Sequence, residues 1–370
     1  MILASYIFFC ILLIYAFMMA WFVMGFIKTN YFIATDETST PLTIIICARN
    51  EEKTIGRCLA SILKQDYDLK NVQLILINDA STDSTVFQAE SVLKNSKINY
   101  KIISNPIRKG KKLSITYAIS QTTNELLVMR DADTFTTSTL WLQNISDYYN
   151  ATNSDLIIAP IVIANNVGVL WALQAIETNV LTLINCGSSF FKNPFLCNGA
   201  NLIFTRSIFE KVNGYSSHLK IESGDDVLFL EDVKKIPNAK INFLKSEQAI
   251  VYTYPAFSFK NLLQQKVRWA SKFKTNKNKL NLVLAILSFL VNLLWLFCLF
   301  YSFLIPKNGG FILFFVLFKL IIDFLLLFLA SRFVKNKGLG LYGLPVACVY
   351  PMYACVVAAT SVFIKPKWKL

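Results

Sequence analysis

The chain has 370 residues, 54% of them hydrophobic, with a formal net charge of +14 and a mean hydropathy of +0.46. That composition excludes a single soluble domain, and the length leaves room for two or three units. Eight scattered cysteines with no Cys-x-x-Cys pair argue against a disulfide framework; one histidine, His218, excludes a His-rich metal site and argues against a His-based nucleophilic triad. Any metal ion or general base must then be served by carboxylates.

At the amino end, Ile2 to Ile27 carry no charge and, at about 1.5 Å per residue, can cross a hydrocarbon core of about 30 Å. A cleaved signal peptide would need a basic leader and a shorter apolar stretch. Short β-branched runs follow at Leu42 to Cys47, Val72 to Ile77, Tyr100 to Ile103, Glu125 to Met129 and Asp155 to Ile161, with helical patterns near 51–65, 83–94, 111–120 and 138–149. This alternation predicts an α/β fold with a mainly parallel sheet covered by helices, and ligands at the carboxyl ends of its strands. Val167 to Ile184 is apolar apart from Glu177. It reads as a helix on the membrane surface, with burial in the domain core as the alternative, because a crossing here would separate Asp131 and Asp133 from Arg268.

Leu280 to Ile305 and Phe311 to Ala330 form a membrane hairpin around Pro306-Lys307-Asn308-Gly309-Gly310, with Lys319 and Asp323 spaced to pair inside the second span. Leu341 to Ile364 contains Gly343, Pro345 and Pro351, and could span, kink or turn back. The basic excess does not point to nucleic acid. It crowds the membrane segments at Lys266, Arg268, Lys272, Lys274, Lys277 and Lys279, then at Arg332, Lys335 and Lys337. The positive-inside rule puts residues 28–279 and 331–338 in the cytoplasm, against anionic headgroups. Lys365, Lys367 and Lys369 fit that scheme only if 341–364 is re-entrant. Three regions result: an amino-terminal anchor over 1–30, a cytoplasmic domain with interfacial helices over 31–279, and a membrane region over 280–370.

The chemistry-bearing residues lie where strands end. Ala48-Arg49-Asn50-Glu51-Glu52 and Asn78-Asp79-Ala80-Ser81-Thr82-Asp83 are strand-to-helix turns, whose acids could bind a nucleoside or simply cap helices. Arg108-Lys109-Gly110-Lys111-Lys112 offers cations and backbone N–H groups to a phosphate, or is a solvated basic loop. Asp131-Ala132-Asp133 can hold a hard divalent cation, Mg²⁺ or Mn²⁺, against a diphosphate. Cys197-Asn198-Gly199-Ala200-Asn201 is a turn whose glycine would allow close backbone approach. Glu222-Ser223-Gly224-Asp225-Asp226 supplies a candidate base, or caps the apolar helical stretch Val227 to Leu230. In Gln265-Lys266-Val267-Arg268-Trp269, helical spacing puts Gln265, Arg268 and Trp269 on one face; an Arg-Trp pair is also common at a membrane interface.

In this order, between apolar runs at both ends, Asn78-Asp79, Asp131-Ala132-Asp133, Gly224-Asp225-Asp226 and the Gln-x-x-Arg-Trp set resemble the membrane-bound family 2 glycosyltransferases. That group includes cellulose, hyaluronan and poly-N-acetylglucosamine synthases and ceramide glucosyltransferase. The resemblance covers residues from about 40 to 280. It implies a GT-A type domain and inverting transfer from a nucleotide-diphospho-sugar, UDP-linked in the main, to a lipid or growing glycan. It also implies Asp79 and Glu51 at the nucleoside, Lys111 at the nucleotide, Asp133 on the metal and Asp131 on metal or nucleotide. Asp226, beside Asp225, would be the base, with Gln265, Arg268 and Trp269 closing the site. A bacterial inner membrane is the expected location. Single transfer to a lipid suits the few spans; a processive polysaccharide synthase would need oligomers or an export or channel subunit. A non-catalytic scaffold of an export complex is the alternative of another class.

Overall fold

The computed structural model describes residues 2–35, 39–219, 221, 224–273, 279–304, 309–336 and 339–363. Outside these lie Glu222, Ser223, Lys274, Lys277, Lys337, Lys365, Lys367, Lys369 and the connection at 306–308. Two units are formed, one from residues 28–164 and 188–254, the other from 1–27, 165–187 and 255–370.

From its amino end the chain forms α1 (Ile2–Lys28), then alternates β1 (Leu42–Ala48), α2 (Ile55–Leu63), β2 (Val72–Asn78), α3 (Thr85–Leu93), β3 (Asn99–Ser104), α4 (Lys111–Ser120) and β4 (Leu126–Asp131). All four strands were legible as β-branched runs, and β1 to β4 pair in parallel, in spatial order β3-β2-β1-β4. Ile44, Ile46, Leu74, Leu76 and Val128 pack with Leu59 and Trp141 in one buried cluster. Near-continuous apolar strands of this kind are what a parallel sheet covered on both faces requires.

Next come β5 (Thr134–Phe135), α5 (Trp141–Thr152), β6 (Leu156–Ile158) and β7 (Ile161–Ile163). The expected strand Asp155 to Ile161 is thus two strands divided at Pro160, which lacks an N–H for a ladder. They join different sheets. β8 (Leu202–Thr205), which the sequence reading did not anticipate, lies antiparallel between β4 and β6 and, with β9 (Ile241–Phe243), completes a seven-stranded sheet. β5, β7 and β10 (Val251–Thr253) form a second, three-stranded sheet. α7 (Arg206–Lys211) and α8 (Val227–Val233) belong to the same unit.

The apolar unit contains α1, most of α6 (Val169–Phe190), α9 (Phe259–Phe273), α10 (Lys279–Leu304), α11 (Gly309–Val334) and α12 (Gly343–Phe363). Among the described residues five helices are long and apolar enough to cross a membrane: α1, α6, α10, α11 and α12. In α6 the apolar window is 61% buried, against 22–33% in the others. α12 runs unbroken through Pro351, so residues 343–363 form one continuous helix, preceded by a 3₁₀ turn at Gly340–Tyr342. Lys319 and Asp323 pair at 2.6 Å, as their spacing predicts, and Tyr15 of α1 donates to Asp323 Oδ1 at 2.9 Å.

Gly187 of α6 packs on the Phe22 backbone of α1, and a β-carbon there would overlap the Phe22 carbonyl. Small residues at such crossings let two helices approach. Gly187→Ala is therefore expected to cost about 2 kcal/mol through overpacking, measurable as a lower unfolding midpoint in detergent.

Candidate functional site

Strand register gathers the site at one edge of the large sheet. Cys47 pairs with Asp131 and Ala48 with Asn78, so β1, β2 and β4 end side by side. The turns after β1 and β2 are laced together. Asn50 N donates to Ser81 Oγ at 3.0 Å, Thr82 N to Asn50 Oδ1 at 2.9 Å, Glu52 N to Asp83 Oδ2 at 3.1 Å and Ser84 N to Glu52 Oε2 at 3.1 Å. Glu51 takes part through its N–H, which donates to Thr85 Oγ1 at 2.8 Å, and its carboxylate, which accepts from Thr54 Oγ1 at 2.8 Å. Ala80 holds φ +57°, a left-handed conformation that costs an L-residue about 1 kcal/mol and persists where its surroundings fix it.

Asp79 is 4% exposed, and both its oxygens are engaged by the loop before α4. Oδ1 accepts from Asn105 Nδ2 at 2.9 Å and Lys109 N at 2.8 Å; Oδ2 accepts from Gly110 N at 2.9 Å. Gly110, at φ +86°, takes a conformation that glycine adopts most readily. The carboxylate thereby fixes where α4 begins. The next two residues are lysines, unfavourable in a first helical turn because the helix dipole is positive there.

Lys111 meets that cost with anions. Its Nζ lies 2.7 Å from Asp131 Oδ1 and 2.9 Å from Asp225 Oδ2, linking the end of β4 to the turn before α8. Burial opposes the lysine's charge, but Asp131 and then Asp225 outweigh it and hold the ammonium well above the ordinary lysine range. Gly199 lies against this pair: a β-carbon there would stand 3.2 Å from Lys111 Nζ and 3.3 Å from Asp225 Oδ2. Asp226 is 9% exposed, accepts from Val227 N at 2.7 Å and Gly199 N at 3.4 Å, and so joins the start of α8 to the 198–201 turn. Asn201 anchors that turn from below, donating to Pro160 O and Ala249 O and accepting from Trp141 Nε1.

Asp133 is half-buried, two residues beyond the end of β4. Thr134 Oγ1 donates to Asp131 O at 2.7 Å and accepts from Arg130 Nε at 3.2 Å, which shapes the Asp-Ala-Asp turn. Arg130 is buried and stacks over Trp141 at 4.7 Å. Among the described residues, no group of three or more His, Cys, Asp and Glu side chains is gathered for a metal ion. The carboxylates at this edge are hard oxygen donors. They suit a divalent cation that takes the rest of its shell from phosphate oxygens and water.

Gln265, Arg268 and Trp269 lie on α9 in the apolar unit, each half-buried. Within that unit Lys266 pairs with Glu177 of α6 at 2.5 Å and its Nζ stands 4.2 Å from the Trp269 ring centroid. The structure therefore gathers Asp79, Lys111, Asp131, Asp225 and Asp226 in one unit and the α9 set in the other. Sequence reasoning missed Asn105, Lys112 and Asn201 as site-building residues. The adverse Lys-Lys pair at a helix start was the available signal.

Residues 43–212 match the glycosyl transferase family 2 model. A Haemophilus influenzae protein named an uncharacterized glycosyltransferase is 27% identical over 208 residues, 52% of this chain and 58% of that one. The chain thus spans less than two thirds of that relative. A poly-beta-1,6-N-acetyl-D-glucosamine synthase of Staphylococcus epidermidis is 26% identical over 361 residues, covering 88% of this chain and 83% of that one. The mannosyltransferase PcManGT of Pyrobaculum calidifontis, solved with GDP-Man and Mn²⁺, shares the fold at a TM-score of 0.57, with 14% identity over 98% of this chain and 97% of its own.

Because the Lys111 pKa is raised by folding, its contribution to stability is complete below the unfolded lysine value of about 10.4 and is lost as pH climbs through the folded value. Lys111→Met should cost about 1–2 kcal/mol at neutral pH by leaving Asp131 and Asp225 without their shared cation. The deficit should narrow above about pH 10.5. Denaturant unfolding of both proteins across that range checks it.

Proposed function

Since residues 43–212 are a glycosyl transferase family 2 domain in a chain with several candidate membrane spans, we propose that the protein is an inverting, cation-dependent membrane glycosyltransferase. Its donor is a nucleotide-diphospho-sugar with UDP as the nucleotide, and its acceptor is a lipid or glycan held at the membrane. The observation that carries this reading is the Asp131–Lys111–Asp225 arrangement, in which carboxylates from two remote motifs meet at one cationic point on the sheet edge. Such a point suits a diphosphate and its counter-cation.

Asp133 and Asp131 would hold Mg²⁺ or Mn²⁺, which supplies neutralisation of the leaving diphosphate. Lys111 serves the phosphates, and the turns of Glu51 and Asp79 serve the nucleoside. The acceptor hydroxyl attacks the anomeric carbon opposite the leaving group; the bond from that carbon to the diphosphate oxygen breaks, and its electron pair leaves with the nucleoside diphosphate. Asp226 takes the hydroxyl proton, a contribution of about 10² to 10⁴ in rate. Asp225 supports Asp226 and tethers Lys111. On α9, Arg268 is assigned to the pyrophosphate and Trp269 to the acceptor, with Gln265 beside them.

The basic residues Lys266, Arg268, Lys272, Arg332 and Lys335 support a cytoplasmic active site, in a bacterial inner membrane, under the positive-inside rule. A second reading, a processive polysaccharide synthase, is favoured by the relative of that kind matched along 88% of the chain. It would add a growing glycan as acceptor and an export or channel subunit as partner.

Purified protein in detergent, supplied with native lipids and Mg²⁺ or Mn²⁺, should release nucleoside diphosphate from one donor in a panel of nucleotide sugars. Asp133→Ala and Asp226→Asn should each lower that rate by about 10²-fold or more. Product length separates the two readings: one added sugar supports single transfer, a ladder supports polymerisation. Release from no donor would overturn both in favour of a scaffold subunit.

A further inference from the structure

The second lysine of α4 has no part in the chemistry above, yet it is the more deeply placed of the two. Lys112 is 6% exposed, and its Nζ donates to the backbone carbonyls of His218 at 2.8 Å and Ile221 at 2.7 Å. Burying an ammonium costs several kcal/mol unless it is compensated, and a first helical turn adds to that cost through its dipole. A sequence that accepts two local penalties at one position does so where function requires it.

The carbonyls that Lys112 grips belong to the segment that delivers the acidic pair. Ser216–His218 is a single 3₁₀ turn, in which His218 N donates to Tyr215 O at 3.0 Å; Ile221 N in turn donates to His218 O at 3.1 Å. Asp225 and Asp226 follow within a few residues. The start of the segment is tied to α8: Ser217 Oγ donates to Asp232 Oδ2 at 2.6 Å, and His218 Nδ1 lies 3.3 Å from the same oxygen. Asp226 accepts from Val227 N at the start of that same helix. His218 and Ile221 are therefore held to α4 by Lys112, while Ser217 and His218 are held to α8 by Asp232. Because Lys111 on the adjacent residue holds Asp131 and Asp225, one helical turn sets the spacing between the donor-side and base-side carboxylates.

We infer that Lys112 is a positioning residue for glycosyl transfer: it acts through the carbonyls of His218 and Ile221, just ahead of the acidic pair, to hold Asp225 and Asp226 against the Asp131 edge. This rests on the reading of Asp226 as the base. A shift of about 1 Å in a reacting group can cost about 10²-fold in rate. Asp79, Glu51 and Asp133 reach the site on β1, β2 and β4, whose pairing does not pass through Lys112. Loss of the clamp should therefore fall on turnover and not on donor binding.

Lys112→Met removes the charge and keeps the stem; Lys112→Arg keeps a cation, and Lys112→Gln is the milder replacement if the methionine variant does not fold. In the full-length protein, Lys112→Met should lower kcat at least about tenfold with donor KM within about twofold of wild type, and Lys112→Arg should recover most of the loss. Independently of activity, amide hydrogen exchange across 215–228 should quicken about tenfold or more, with β1 and β2 unchanged. Unchanged kcat, or unchanged exchange, overturns the inference. Equal losses in kcat, nucleotide affinity and melting temperature also overturn it, since they would make Lys112 a general stability residue. A wild-type protein that turns over no donor refutes the transferase reading instead, and the exchange measurement still decides whether Lys112 holds the loop.

Discussion

One ammonium between two carboxylates organises the sheet-bearing unit. Without Lys111, Asp131 and Asp225 would face one another at an edge where β1, β2 and β4 all end, and like charges in a partly desolvated place repel. With it, a strand end and a turn before a helix are locked to a common point. The lysine can reach that point only because Asp79 fixes the two residues before it through their N–H groups. A carboxylate from one motif thus sets the start of the helix that binds the carboxylates of two others. This coupling explains why Asp79, which by itself could pass for a turn residue, belongs to the same assembly as the Asp-Ala-Asp triplet.

Topology supplies the rest of the constraint. A fully parallel continuation of the sheet would carry the start of each new strand to the edge opposite Asp131. β8 instead runs antiparallel to β4, with Leu202 beside Met129 and Thr205 beside Leu126. The turn immediately before β8 therefore emerges at the carboxyl end of β4, which puts Gly199 against Lys111 and Asp225. A side chain at 199 would compete for the space that the ion pair fills. The reversed direction of β8, antiparallel to both β4 and β6, is what brings the 198–201 turn to the strand ends where Asp131 and Lys111 meet.

Much of this was legible in the sequence, and the limits have physical causes. β1, β2 and β4 announced themselves because strands buried on both faces must be largely apolar, whereas the exposed edge strand β3 showed only through its short apolar run at Ile102 and Ile103. The ends of β2 and β4 carried Asp79 and Asp131, and Asp225 stood just ahead of the apolar stretch that becomes α8, so all three were identifiable before any contact was known. β8 was not, because its four residues are too few for periodicity to distinguish from a buried loop. The 155–161 run was misjudged because its apolar character hides the exchange of sheets at Pro160. The partnership of Lys111 with Asp225 joins residues remote in sequence, and local pattern does not encode such a contact. Lys112 was passed over for a related reason: its partners are backbone carbonyls, which leave no trace in residue type. What the sequence did contain was a conflict, two cations in the first turn of a helix, and conflicts of that kind mark places where tertiary structure provides the compensation.

The apolar unit obeys the same rule in a harsher solvent. An unpaired charge near the middle of a membrane costs about 2.5–3.5 kcal/mol on insertion scales, so each ionisable group must specify its partner. Lys319 and Asp323 satisfy one another along α11, and Tyr15 adds α1 to the pair. Glu177 and Lys266 do the same for α6 and α9, while Gln174 exchanges two hydrogen bonds with the Ala256 backbone just ahead of α9. Apolar packing alone would tolerate rotation or sliding of one helix on another, since lipid and leucine are equivalent surroundings. Polar pairs do not, because any shift in register strands a charge or an amide. α6 carries several such ties and, among the described residues, is the most buried of the five apolar helices. Its apolar composition is therefore compatible with a helix held chiefly by protein, and the salt bridge to Lys266 fixes the rotation of α9 on which Gln265, Arg268 and Trp269 depend.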